Sequence, residues 1–336
     1  MLASVANRQS KLSGLRPFNP LRDIRPMIEL IELSFAEDLD PQSRQMLNEM
    51  RTLARVGGPL LWLLSKTSPT LRDLFSGYVW MEEGRIVGNV TVHRRQKGKK
   101  GWFISNLAVH PDHRRRGIAQ RLMTEGTELA RKRGAQRVSL EVRTGNVAAQ
   151  SLYQKLGFTK VDSVSKMRLE KVCGVSPVSS GEHEIKAVKP QEWREPYQLA
   201  EDAFCSEAKE IAPVREEDYR LNFAQRLMAS IGDLLKGQKV YRLAVQRDGR
   251  FLALLTLRTG GAFASHSLAM IVHPEHRGKV EEMLLTKALS TLDGYPSRPL
   301  LATIQPSYGE VLDVFRRYGF VEEQTLDLLT CRLQSR

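Results

Sequence analysis

The feature that most constrains this chain is a phrase it carries twice. "HPDHRRRGIA" runs from His110 to Ala119, and "HPEHRGKVEE" from His273 to Glu282. Further pairs follow in the same order at nearly the same offset. Pro20 and Pro26 answer to Pro190 and Pro196, each pair heading a helical stretch that ends in Phe35 or Phe204. "EEGRIVGNVTV" (Glu82 to Val92) answers to "RDGRFLALLTL" (Arg247 to Leu257), and "YQKLGF" (Tyr153 to Phe158) to "FRRYGF" (Phe315 to Phe320). Four blocks in one order point to two copies of one domain, and 336 residues are enough for two. The stretch "KVCGVSPVSSGE", Lys171 to Glu182, has the Gly, Ser and Pro of a joint. The expected organisation is a first domain over 1–171, a linker over 172–182 and a second domain over 183–336.

Each copy reads as a mixed α/β sheet domain flanked by helices. "GYVWMEEGRIVGNVTVHRR" alternates apolar residues around a Glu-Gly turn, the pattern of a hairpin. "WFISNLAVH" is a buried strand. The spacing of Ile118, Leu122, Leu129 and Ala130 predicts a helix over Gly117 to Lys132. The strand "RVSLEV" follows, then a shorter helix from Val147 to Leu156, with Gly157 where a left-handed C-cap is wanted. Two short strands, "FTKVDS" and "SKMRLE", are expected to close the copy.

Charge separates the two halves. Residues 1–171 carry 30 Lys and Arg against 16 Asp and Glu, while the rest of the chain carries 21 against 22. The excess of +13 therefore sits in the first copy, where an anionic ligand is expected. The N-terminal "MLASVANRQSKLSG" has no apolar region of a secretory signal, and "GGPLLWLLS" (Gly57 to Ser65) is too short to span a bilayer. No membrane partner is expected. Cys173, Cys205 and Cys331 are scattered and show no CxxC spacing, which argues against a disulfide framework or a zinc site. A cytoplasmic protein without a bound metal is the expectation. The basic turn "HRRQKGKK", His93 to Lys100, lacks interleaved aromatics, so nucleic acid is not the expected partner.

In the first copy, "RRRGIA" lies between a strand and a helix. A helix N-terminus offers unpaired N–H groups and the positive end of the macrodipole, a natural seat for phosphate. Gly117 lets an anion approach the backbone, Ala119 keeps the next contact small, and Arg114, Arg115 and Arg116 add charge. The stretch "NLAVHPDHRRRGIAQRLM" closely resembles the acetyl-CoA signature of the GNAT superfamily of N-acetyltransferases, with Arg114, Gly117 and Ala119 at its core. "LEVRTGNVAAQSLYQKLGF" resembles the second half of that family, above all the branch that acetylates the N-terminal alanine of a ribosomal protein. The resemblance is strong from Asn106 to Phe158. It implies two tandem GNAT-like domains, each with a mixed, mostly antiparallel sheet, and acetyl-CoA as co-substrate. It also implies roles. The strand backbone at Leu107, Ala108 and Val109 would meet the pantetheine arm. The loop Arg114, Arg115, Arg116, Gly117, Ile118, Ala119 and Gln120 would hold the pyrophosphate, and Asn146 would hydrogen-bond the cofactor. Glu141 would be the general base and Tyr153 the general acid.

The chemistry agrees with those last two roles. An ammonium must lose a proton before its nitrogen attacks a thioester, and Glu141 alternates away from the apolar Val138, Leu140 and Val142. A tyrosine hydroxyl, with a reference pKa of about 10, can supply a proton to a departing thiolate of about 8.5 if the site helps it. The residues alone leave other readings open: Glu141 as a solvated carboxylate, and Tyr153 as a packing partner of Ala149 and Leu156. Ser105 and Asn106 are further candidates for ordering a water. In the second copy Val280 replaces Gly117, Glu282 replaces Ala119 and Phe315 replaces Tyr153, while Arg277 answers to Arg114. That copy is expected to keep the fold and to have lost the cofactor, as in tandem GNAT proteins of the mycothiol synthase type. Its expected work is covering the first domain, shaping the acceptor site or pairing two chains as a homodimer. The expected function is transfer of acetyl to a primary amine, on a protein N-terminus or a small molecule. The segment Arg51 to Phe75 would border the acceptor cleft. A non-catalytic acyl-CoA-binding sensor or assembly protein is the rival reading.

Overall fold

The structure is a computed structural model that describes residues 13–36, 47–48, 51, 76–94, 101–172, 174–178, 183–189, 191–211, 213–220, 232, 237–261, 264–305 and 308–333. The apolar run at 57–65, nearly all of the 51–75 segment, the tip of the basic turn and the end of the expected linker lie outside these residues. The chain forms two compact units that are discontinuous in sequence. The first comprises Met1–Glu141, Ala148–Thr159 and Leu329–Arg336, and the second Val142–Val147 and Lys160–Leu328. The expected boundary near 171 thus falls within the second unit.

In the first unit, β1 (Gly14–Pro17) leads into α1 (Pro20–Ser34). Asn19 caps this helix by accepting from the Leu21 N–H at 3.0 Å, and Pro20 occupies the first turn, where its missing N–H costs nothing. Buried Asp23 accepts two bonds from the Arg16 guanidinium, at 2.6 and 2.8 Å, and ties the helix start to β1. The apolar face of α1 buries Ile24, Met27, Ile28, Leu30 and Ile31 together with Ala108. β2 (Gly77–Glu82) and β3 (Arg85–Arg94) form the expected hairpin, turning on Glu83 and Gly84 at φ 49° and 76°. Two positive values in a two-residue turn match the right-handed strand twist. β3 pairs antiparallel with β4 (Gly101–Val109), and β4 pairs parallel with β5 (Arg137–Arg143).

A parallel pair needs a crossover, supplied here by α2 (Ile118–Lys132). The helix lies close on the sheet: a Cβ at Gly88 would stand 2.9 Å from the side chains of Ile118 and Leu122. After β5 comes α3 (Val147–Lys155). The C-terminal tail joins this unit: Thr330 Oγ1 lies 3.2 Å from Ser139 Oγ, and the Leu333 N–H donates to the Gln136 carbonyl at 2.9 Å.

The closing strands of the first copy differ from the expectation. They form one strand, β6 (Thr159–Leu169), with Ser165, Met167 and Leu169 buried at every second position and no Gly or Pro within it to turn it. Its residues from Lys160 onward belong to the second unit. There β7 (Glu184–Ala187), α4 (Arg194–Ala203), β8 (Val240–Arg247), β9 (Arg250–Arg258) and β10 (His266–Val272) repeat the earlier order. α5 (Glu281–Leu292), β11 (Leu300–Ile304), α6 (Gly309–Arg317) and β12 (Val321–Arg332) complete it. β10 and β11 run parallel, and β11 pairs antiparallel with β6, from Leu300–Leu169 to Ile304–Ser165. Met167 and Leu169 of the first copy are therefore part of the second unit's core, beside Leu268, Leu284 and Phe315. Among the described residues no helix is long and apolar enough to cross a membrane, and Cys205 and Cys331 are free thiols.

Candidate active site

The first unit opens a slot between two of its strands. Asn89 faces Ala108 and Thr91 faces Ser105, so Asn106 and Leu107 together oppose the single residue Val90. This is a β-bulge, with Asn106 at φ 53°. Buried Asn89 locks it by donating from Nδ2 to the Asn106 carbonyl at 3.0 Å. The parallel pairing of β4 with β5 then runs only from Gly101–Arg137 to Phe103–Ser139, although both strands continue. Beyond that point the two strands part, and the β5-facing backbone of Ile104 to Val109 is released from the ladder. Leu107 and Val109 lie on this stretch. The Ala108 side chain is buried against α1 and its backbone pairs with Asn89 of β3, so Ala108 itself offers nothing to the slot. The Val109 carbonyl already accepts from Ser34 Oγ at 3.3 Å and Arg114 Nε at 3.2 Å.

Beyond the strand, Pro111–His113 forms one 3-10 turn and the chain enters α2 through Gly117. Gly117 is the N-cap residue at φ 77°, a conformation that favours glycine. A Cβ built there would meet no atom within 4 Å, and no side chain caps the helix. The first N–H groups of α2 therefore have no side-chain cap from Gly117, as an anion site requires. Gln120 is exposed, Ala119 half-buried and Ile118 buried as the helix's anchor.

The three arginines divide. Arg115 is exposed at φ 61°. Arg116 pairs with Glu82 at 2.9 Å, and Glu82 also meets His113 Nδ1 at 2.8 Å. Burial works against the Glu82 carboxylate, but the Trp80 N–H, Arg116 and His113 outweigh it and hold its pKa below the usual range. Arg114 braces the fold, reaching the Ser34 carbonyl at the end of α1 as well as Val109.

Glu141 is exposed on β5 between buried Leu140 and Val142. Tyr153 is buried on α3, its ring 6.0 Å from that of Phe158. Burial pushes its phenol up to about 12, so it is fully protonated at neutral pH. Asn146 stands directly before α3, its N–H donating to the Arg143 carbonyl at 2.9 Å, within the 142–147 segment that belongs to the second unit. Ser105 Oγ lies 3.5 Å from His93 Nδ1.

The second unit presents the same elements closed. β9 and β10 pair in unbroken register, without a bulge. β10 and β11 stay paired from His266–Leu300 to Met270–Ile304, five residue pairs, so no slot opens. At the start of α5, Val280 takes the N-cap place of Gly117 at φ −120°. The buried Glu281 carboxylate accepts from the Gly278 N–H at 2.8 Å and the Val280 N–H at 3.1 Å. An internal carboxylate thus takes two N–H groups of the loop that leads into α5, whose N-cap residue, like Gly117, makes no side-chain cap bond. Thr303 occupies the strand position of Glu141, and Phe315 stacks on Phe320 at 5.0 Å as Tyr153 does on Phe158. Arg277 reaches the Ala203 carbonyl at the end of α4, as Arg114 reaches Ser34. An arginine that does the same work in both copies is a brace. The sequence did not reveal the bulge, the slot, that brace or the Glu281 bonds. Only Asn89, an amide amid the apolar run of "RIVGNVTV", hinted at the first.

Residues 46–158 match the sequence profile of the acetyltransferase (GNAT) family, and the chain carries an acetyltransferase domain of that family. A putative ribosomal protein bS18-alanine N-acetyltransferase of Bacillus subtilis is 41% identical over 54 residues, 16% of this chain and 36% of that protein. The chain spans between 36% and 57% of the length of the first curated relatives it matches. Among solved structures, a GCN5-related N-acetyltransferase from Sphaerobacter thermophilus superposes with a TM-score of 0.60 at 14% identity, covering 96% of each chain. A tandem GNAT protein from the clavulanic acid biosynthesis pathway does so with a TM-score of 0.55 at 18% identity, covering 96% of this chain and 99% of its own. At such identities these two establish the fold.

Proposed function

We propose that the first unit is an acetyl-CoA-dependent N-acetyltransferase acting on a primary amine, either a protein N-terminus or a small-molecule amine. One observation carries this reading: strands that part and a glycine leading into the following helix, in the unit that holds Glu141 and Tyr153, where the other unit keeps its strands paired and sets the Glu281 carboxylate on the N–H groups just before its helix. The residues fit the co-substrate. The backbone at Gly117 to Gln120, with Arg115 at the rim, would hold the pyrophosphate, and the backbone at Leu107 and Val109 the pantetheine arm, with the Val109 carbonyl already taken by Ser34 and Arg114; the family resemblance adds Asn146. Acetyl-CoA supplies an activated acyl thioester. Glu141 takes the proton of the incoming ammonium at a carboxylate oxygen, directly or through a water. The Tyr153 hydroxyl faces the departing sulfur. With its phenol at about 12 and a thiol near ~8.5, full proton transfer runs uphill, so the hydroxyl acts by hydrogen-bonding the developing thiolate. The names of the bacterial relative and of a yeast relative, N-alpha-acetyltransferase 30, favour a peptide N-terminus as the first acceptor to try.

Calorimetry with acetyl-CoA tests the cofactor: the chain should bind one equivalent and Gly117→Glu none, and no binding by the unaltered chain sinks the proposal. Thiol release against a panel of peptides and amines then tests the reaction. Binding without turnover on any acceptor would leave the sensor reading in its place.

A further inference from the structure

The turn between β10 and α5 carries a donor set that the acetyltransfer reading does not use. We propose that His273, Glu275 and His276 bind a divalent ion of the zinc class. Their ligand atoms all lie within 4.8 Å of one another. On a tetrahedral ion with bonds of ~2.0 Å, donors stand about 3.3 Å apart, so side-chain rotation alone closes the set. The backbone is already in place. Pro274 sets the entry, and the His276 N–H donates to the His273 carbonyl at 3.0 Å, making one rigid 3-10 turn. Two imidazoles with one carboxylate select zinc, cobalt, nickel or copper over magnesium or calcium.

The first repeat acts as an internal control. It has the same turn, with His110, Asp112 and His113. There His113 Nδ1 is held by Glu82 at 2.8 Å and lies 2.9 Å from Arg116. Among the described residues those three do not gather as the later set does. The second repeat has Arg247 where Glu82 stands and Lys279 where Arg116 stands. Lys279 donates to the Glu275 main-chain carbonyl at 3.0 Å, which leaves the carboxylate out of that bond. The carboxylate that ties down His113 is therefore replaced by a cation that cannot tie His276. One bond must yield on binding: His273 Nδ1 accepts from the Glu275 N–H at 3.4 Å, too long to be strong.

The turn also lines a cavity of about 890 Å³ in the second unit, with Trp193, Glu195, Asp202, Glu216 and Arg250 around it. Three protein ligands beside a cavity leave a fourth position open to water or a small donor. Besides Glu275 the wall sets three carboxylates, Glu195, Asp202 and Glu216, against two guanidinium groups, Arg194 and Arg250, a balance that favours a cation.

Cobalt(II) titration of the full chain, followed by visible absorption, and zinc titration by calorimetry test the site. One equivalent should bind with the intense bands of four-coordinate cobalt. His276→Gln and Glu275→Gln should each weaken binding by about tenfold or more, while His113→Gln leaves it unchanged. Circular dichroism establishes that each variant is folded, and the second keeps the test open if the first is not. No uptake at millimolar metal, uptake that survives both substitutions, or an equal response to magnesium overturns the proposal.

Discussion

Tyr153 and Phe315 occupy one seat in two copies of a fold. Each ring packs on a phenylalanine five residues on, at 6.0 and 5.0 Å, so the seat itself asks only for an aromatic ring. The hydroxyl is what differs. Tyr153→Phe should therefore keep the fold and the melting temperature while lowering turnover by roughly 10²–10⁴-fold. An unchanged rate would remove the hydroxyl from the mechanism. The same burial predicts an alkaline signature. The folded phenol, at about 12, lies above its unfolded value near ~10. Its stabilising contribution is complete below pH ~10 and is lost as pH rises through about 12, roughly 2–3 kcal/mol in all. Denaturant melts from pH 9 upward should show Tyr153→Phe losing less stability than the unaltered chain. Glu141→Gln should lower turnover by a similar factor at neutral pH, with partial recovery as pH rises and more amine arrives already deprotonated.

At the scale of elements, neither helix N-terminus has a side-chain cap, but the loops that lead into them differ. Four N–H groups need partners. α2 leaves them to whatever fills the open space at Gly117, whereas α5 satisfies two nearby donors with Glu281. Glu281→Ala should therefore cost about 1–3 kcal/mol of stability, read as a lowered melting temperature. It should not create a second acetyl-CoA site, because β10 and β11 remain paired along five residues. Calorimetry returning two equivalents per chain would show that the carboxylate alone had closed that unit. The acidic pair "EE" was legible as hostile to phosphate, but its use as an internal acceptor was not. A carboxylate that repels a ligand and one that holds its own loop read identically in a sequence. Arg114 presents the same difficulty, since a guanidinium that holds two carbonyls and one that holds a phosphate are the same letter. The histidine turn reads the same with or without an ion, since a His-Pro sequence also serves simply to shape a turn.

At the scale of the molecule, each compact unit includes strand residues from the other repeat: Lys160 to Leu169 in the second, Leu329 to Arg332 in the first. A fragment ending at residue 171 would lack Thr330 beside Ser139 and the Leu333 bond to Gln136. It should melt well below the full chain or aggregate, and co-expression with 172–336 should restore it. Independent folding at full stability would show that this exchange is dispensable. The repeat, the order of elements and the contrast between a glycine-and-arginine loop and a valine-and-glutamate one were all present in the sequence by itself. They depend on composition within a few neighbouring positions, where periodicity, turn residues and charge leave marks. The bulge at Asn106, the parting of β4 from β5 and the trading of closing strands were decided only in the tertiary structure. Backbone hydrogen bonds are the same for every residue, so which strand pairs with which, and where the pairing stops, is settled by packing between segments far apart in the chain.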